Sequence, residues 1–267
     1  MTHARGDIRI GIGGWTYAPW RGTFYPSDLP RTRELEFAAS RLTTIEVNAT
    51  YYGNQKPATF ARWASVAPAT FRFALKAPRA VVARKRLDEA GEAIERFTGS
   101  GIVELGDRLG PLLWQLPAYK RYEADEFAAF LSLLCDRVAG QRLRHAVELR
   151  HHSFACVEVV ARCRKAGVAI VVGDDPATPT MADATADFVY LRLQRGCDDI
   201  ETGYTHAALD RWRDRVRQCA AGMAPDGLSR VSESGDRSYT PRDVFAYFIR
   251  AGKRRAPQAA MALQADL

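Results

Sequence analysis

The stretch that decides the fold is His145–Val172, HAVELRHHSFACVEVVARCRKAGVAIVV. It opens on a short, largely apolar run, His145–Leu149, passes through Ala155–Ala166 with apolar residues three and four apart, and closes on a second short run, Val168–Val172. Strand, helix and strand in under thirty residues describe a parallel pair joined by a helical crossover. Outward from it, further strand-like runs fall at Ile8–Gly13, Thr43–Val47, Phe71–Leu75, Pro111–Leu116, Phe188–Leu193 and Val244–Phe248. Helical spacing is found at Thr32–Arg41, Pro57–Ser65, Leu87–Phe97, Glu123–Val138, Thr205–Ala220 and Pro257–Gln264. Eight such units in 267 residues predict one α/β domain over residues 1–267, a single TIM-type (β/α)8 barrel. An open doubly wound sheet is the alternative, but GIGGWTY at Gly11–Tyr17 lacks the third glycine and the helix start of a dinucleotide turn. The sixth crossover, GDDPATPTMADATAD from Gly173, is too rich in Pro, Asp and Thr for a regular helix, and Gly222–Arg242 reads as a flexible polar loop.

Composition narrows the partners. At 47% hydrophobic and 26% charged residues the chain is of ordinary globular type, and no apolar run approaches a bilayer span. The N-terminal residues lack the layout of a signal peptide, so a cytoplasmic location without membrane association is expected. Five cysteines without a CxxC pair predict free thiols and no cysteine-bound metal. The 38 basic residues, 32 of them arginine, exceed the 31 acidic ones and permit an anionic partner. They are spread along the chain, so nucleic acid is not expected as a partner. Oligomeric state is left open.

A parallel barrel gathers the C-terminal ends of its strands around one mouth. There the sequence places Trp15, Tyr17, Glu46, Asn48, Lys76, Gln115, Glu148, Arg150, His151, Asp174, Asp175, Arg192, Gln194 and Lys253. Alternation puts Glu46 with Asn48, Glu148 with Arg150, and Arg192 with Gln194 on the inner face. Charges there must be paired or functional. The reading favours an enzyme acting on a small anionic substrate, sugar-like or phosphorylated. Glu46 and Glu148 are the acid/base carboxylates, joined as catalytic candidates by His151 and Asp174. Asn48, Gln115, Lys76, Arg150, Arg192 and Lys253 bind the substrate, and Trp15 and Tyr17 stack on it. Two carboxylates could move a proton in an isomerisation or flank a glycosidic bond. His3, His145 and His206 read as structural or surface residues. The segment RAGKRRAP, Arg250–Pro257, predicts an oxyanion on the backbone N–H groups at Ala256–Gln258, beside Lys253 and Arg254 or Arg255. No cofactor is expected. A divalent-metal enzyme using Glu46, Glu148, His151 and Asp174 is one rival; a non-catalytic module binding a small ligand, RNA or protein is the other.

Seven segments also carry a resemblance. GIGGWTYAPWRGTFYP, TTIEVNATYYGNQKP, FRFALKAP, RLGPLLWQLPAYK, HAVELRHHSF, GDDPATP and FVYLRL, in this order over nearly the whole chain, resemble the YecE-like proteins, DUF72, a domain of unknown function. The resemblance implies a TIM barrel and no established reaction. It also implies family positions at Trp15, Tyr17, Trp20, Glu46, Asn48, Thr50, Tyr52, Lys76, Gln115, Glu148, Arg150, His151, Asp174 and Arg192. The chain departs from the commoner pattern at Gln194, where many members resemble RLHG, and at Phe248-Ile249-Arg250, where many resemble Phe-Asn-Asn.

Overall fold

The computed structural model describes residues 5–232 and 240–267. Eight parallel strands close into a barrel in chain order: β1 Ile8–Gly13, β2 Thr44–Val47, β3 Arg72–Lys76, β4 Leu109–Gln115, β5 His145–Glu148, β6 Ala169–Gly173, β7 Phe188–Arg195 and β8 Asp243–Ala251. β8 closes on β1 with Ile8 opposite Val244 and Ile12 opposite Phe248. The strands are buried on both faces, which is why most read as continuous apolar runs.

Their inner faces are unequal in bulk. β3, β5 and β6 contribute Ala74, Ala146 and Ala169, whereas β7 and β8 contribute Phe188, Tyr190, Phe245 and Tyr247. The aromatic side fills the space the alanines leave, with the Tyr190 and Tyr247 rings 4.9 Å apart. At Gly11 a Cβ would fall 1.8 Å from the Thr44 carbonyl oxygen, so the close approach of β1 to β2 requires glycine.

Crossover helices form where spacing and end signals agree. Val157–Ala166 ends on Gly167 at φ 64, and His206–Ala220 begins at Thr205, whose Oγ1 accepts the Ala208 N–H at 3.3 Å. One helix is shorter than its pattern: Ala124–Ser132 stops where Glu123–Val138 was expected. Ala139 and Gly140, at φ 46 and 80, turn the chain instead into a small hairpin pairing Arg137–Val138 with Gln141–Arg142. Short helices at Ala49–Tyr52 and Arg79–Val82 were not expected. The sixth crossover is irregular as expected, with no helix between Gly173 and Phe188. Of the loop expected at Gly222–Arg242, residues 233–239 lie outside the described residues, as does His3. His145 is a core residue: Trp114 Nε1 donates to its Nδ1 at 3.0 Å, so its Nε2 carries the proton and donates to the Cys135 carbonyl at 2.8 Å. All five cysteines are free thiols. Among the described residues no helix is long and apolar enough to cross a membrane.

Candidate active site

The same alternation that buries aromatics halfway up the barrel delivers polar side chains to its mouth. On β7 the inward series is Phe188, Tyr190, Arg192, Gln194; on β2 it is Thr44, Glu46, Asn48; on β5 it leads from Ala146 through Glu148 to Arg150. Arg192 is the hub. Its Nε donates to Glu46 Oε2 at 3.0 Å and its Nη2 to Glu46 Oε1 at 2.9 Å, while Nη1 donates to Glu148 Oε2 at 2.5 Å. Tyr190 adds a hydroxyl donor to Glu46 Oε2 at 2.9 Å, and Gln115 Nε2 donates to Glu148 Oε2 at 2.5 Å. Glu46 is fully buried and both its oxygens are engaged. Glu148 Oε1 accepts no hydrogen bond among the described residues.

Above this cluster opens a cavity of about 490 Å³, lined by Glu46, Asn48, Gln115, Arg150, Arg192 and Lys253 together with Gly13, Trp20, Tyr52 and Gln194. The size suits a small molecule. Gly13 has no side chain to project into it. Arg150 makes no ion pair or hydrogen bond among the described residues. Lys76, at 9% exposure, places its ammonium 4.1 Å from the Tyr51 ring centre. Burial lowers its pKa, and the Arg192 and Arg150 charges lower it further against the pull of Glu46 and Glu148.

Other expected residues are placed elsewhere. His151 turns its Nδ1 back to the Ser153 N–H at 3.1 Å and hydroxyl at 2.9 Å, capping the turn His152–Phe154. Asp174 accepts from the Gln194 N–H at 2.5 Å and the Tyr204 hydroxyl at 3.2 Å, and burial raises its pKa. It lines a neighbouring cavity of about 540 Å³ with Arg195, Arg211 and Arg215. The four residues of the metal rival are therefore not brought together, and no three His, Cys, Asp or Glu side chains among the described residues group as a metal site. Trp15 packs edge-on against Trp63, and Tyr17 lies edge-on to Trp20 with Lys253 Nζ 4.4 Å from its ring centre. Neither lines the mouth; Trp20 and Tyr52 do.

The oxyanion cradle expected at Ala256–Gln258 is not formed. The Ala256 N–H already donates to the Lys253 carbonyl, Pro257 has no N–H, and the Arg254 N–H donates to Asp198 Oδ1 at 3.0 Å. Asp198 thus takes an N–H two residues before the groups assigned to the anion. Composition could not show this, since Asp198 lies far away in sequence. Tyr190 escaped notice although it stands two residues before Arg192, the spacing that marks a shared face.

With the barrel and its mouth described, comparison adds one decisive observation: the family described as "Protein of unknown function DUF72" matches residues 9–267. The chain belongs to the DUF72 family. Solved DUF72 proteins share its fold. One from Thermotoga maritima aligns with a TM-score of 0.73 at 20% identity, covering 97% of this chain and 98% of its own. One from Enterococcus faecalis aligns with a TM-score of 0.69 at 18% identity, covering 99% and 98%. None of the curated proteins matches the chain. Membership therefore settles architecture for this DUF72 protein, and its chemistry is argued from the mouth.

Proposed function

We propose that the mouth of this DUF72 barrel binds a small, polyhydroxylated anionic substrate and moves a proton on it. The carrying observation is a guanidinium, Arg150, that has no carboxylate partner among the described residues and faces the same cavity as a carboxylate cluster in which Glu148 Oε1 is likewise unengaged. Arg150 holds the anionic group, because a planar fork matches carboxylate and phosphate geometry, with Lys253 on the same cavity as a second positive charge. Asn48, Gln115 and Gln194 supply hydrogen bonds to hydroxyls. Glu148 is the acid/base group. Glu46 is a positioning residue, since Arg192 and Tyr190 engage both of its oxygens and it acts on the site by fixing Arg192. Arg192 fills the space between the two carboxylates, which favours proton transfer over a pair flanking a glycosidic bond.

A binding module without turnover is the second reading, favoured by the engagement of three Arg192 donors inside the cluster. Thermal-shift screening of sugar phosphates, aldonates and hydroxy acids tests the proposal. At least one compound should raise the melting temperature of the native protein and fail to do so in Arg150→Met. If no anionic compound gives a shift that depends on Arg150, the assignment is wrong.

A further inference from the structure

The mouth holds more positive charge than its own carboxylates engage. Arg192 stands between Glu46 and Glu148, and the charges of both carboxylates also act on Lys76, so two cations face two anions there. Arg250 lines the cavity but is ion-paired with Asp175. Asp174, the next carboxylate along, lines the neighbouring cavity and accepts from Gln194 and Tyr204. Arg150 and Lys253 are left over. Both line the mouth cavity, and neither makes a side-chain hydrogen bond or ion pair among the described residues. Both are half-buried, and because none of their nitrogens is among the sealed, unpartnered atoms, each nitrogen keeps accessible surface.

These two cations stand apart on the ring. Arg150 follows β5 and Lys253 follows β8, with β6 and β7 between them on the shorter way round. In that interval β7 brings Arg192 and Gln194 to the cavity wall. Lys253 is held in place through its backbone. Trp20, 1% exposed, donates its indole N–H to the Lys253 carbonyl at 2.8 Å, and the Ala256 N–H donates to the same oxygen. Gly252 turns the chain just before it at φ 64, where a Cβ would fall 2.3 Å from the Gly196 carbonyl carbon. The Tyr17 ring, 4.4 Å from Lys253 Nζ, orients the ammonium without neutralising it.

We infer that the substrate carries two anionic groups, one at each end of a short hydroxylated chain, with Arg150 taking one and Lys253 the other. This rests on the anion-binding function proposed for the mouth and narrows it. Two anionic groups match the two unpaired cations, whereas a single one leaves a cation on the cavity wall without a partner. A volume of about 490 Å³ accommodates both groups and the chain between them.

Isothermal titration calorimetry at fixed pH and ionic strength tests this on matched compounds: gluconate against glucarate, and glycerol phosphate against phosphoglycerate. Within each pair the second compound adds an anionic group at the far end. In at least one pair the two-ended compound should bind the native protein about tenfold or more tighter than the one-ended one. Lys253→Gln keeps a side-chain stem near Tyr17 and removes the charge, so the advantage should shrink to about twofold or less, and Lys253→Arg should restore most of it. An advantage that survives in Lys253→Gln overturns the inference. So does equal binding within every pair while affinity still depends on Arg150, and in that case the function proposed for the mouth stands. If no compound binds in a way that depends on Arg150, that function fails and the inference with it.

Discussion

Arg192 Nε and Nη2 grip both carboxylate oxygens of Glu46 at 3.0 and 2.9 Å, across 146 residues of sequence. The remaining Nη1 reaches Glu148 on a third strand, so one guanidinium links β2, β5 and β7 at the level where the barrel meets its mouth. A bidentate pair of this kind fixes orientation as well as charge, and both partners are almost wholly out of solvent.

Removing the hub should therefore be costly. Arg192→Met leaves two buried carboxylates without their counter-ion, and urea unfolding should show a loss of about 3–5 kcal/mol. Arg192→Lys should recover only part of it, because an ammonium cannot form the two parallel bonds to Glu46.

His145 predicts sensitivity to mild acid. Burial lowers its pKa, so the unfolded chain takes up a proton near pH 6.5 while the folded one does not. Stability is then full above pH 6.5 and declines as pH falls below it. Comparing urea midpoints at pH 7.5 and 5.5, His145→Gln should show a smaller acid loss than the native protein.

The alkaline limit involves two thiols. Burial pushes Cys163 and Cys219 up to about 12, so above pH 9 the unfolded chain loses protons that the folded chain keeps, and stability falls as pH rises. Buried tyrosines such as Tyr190 add to this only from about pH 10. In Cys163→Ala/Cys219→Ala the onset of the decline, followed by melting temperature, should move from about pH 9 toward pH 10.

Asp198 gives a test of the last loop. If its carboxylate is what satisfies the Arg254 N–H, Asp198→Ala should destabilise the protein by about 1 kcal/mol in urea unfolding, and Asp198→Asn by less. An unchanged midpoint in Asp198→Ala would show that the contact does not hold the loop.

The strands were legible because they bury both faces and several are bounded by Gly, Pro or Asp, signals that survive in a single sequence. The mouth was legible for a related reason: charged residues at strand ends, as in Glu46-x-Asn48 and Glu148-x-Arg150, have few structural uses. Pairings were not legible. Glu46 meets Arg192 only because β1 to β8 close into a ring, and no local pattern encodes a contact over 146 residues. Direction was not legible either, because position at a strand end does not give it: Asp174 turns to Gln194 and Tyr204, and His151 to Ser153. The over-long helix after Glu123 has a similar origin, since the apolar spacing runs on past the point where Ala139 and Gly140 turn the chain.

The most direct test of the proposed chemistry is steady-state kinetics of Glu148→Gln and Arg150→Met on whichever anionic compound the thermal-shift screen identifies and the native protein converts. Glu148→Gln should lower kcat about 10²-fold or more while KM changes little, and Arg150→Met should chiefly raise KM, by about tenfold or more. A Glu148→Gln enzyme with native kcat would contradict the account, because the carboxylate assigned as the acid/base group would then have no part in the proton transfer.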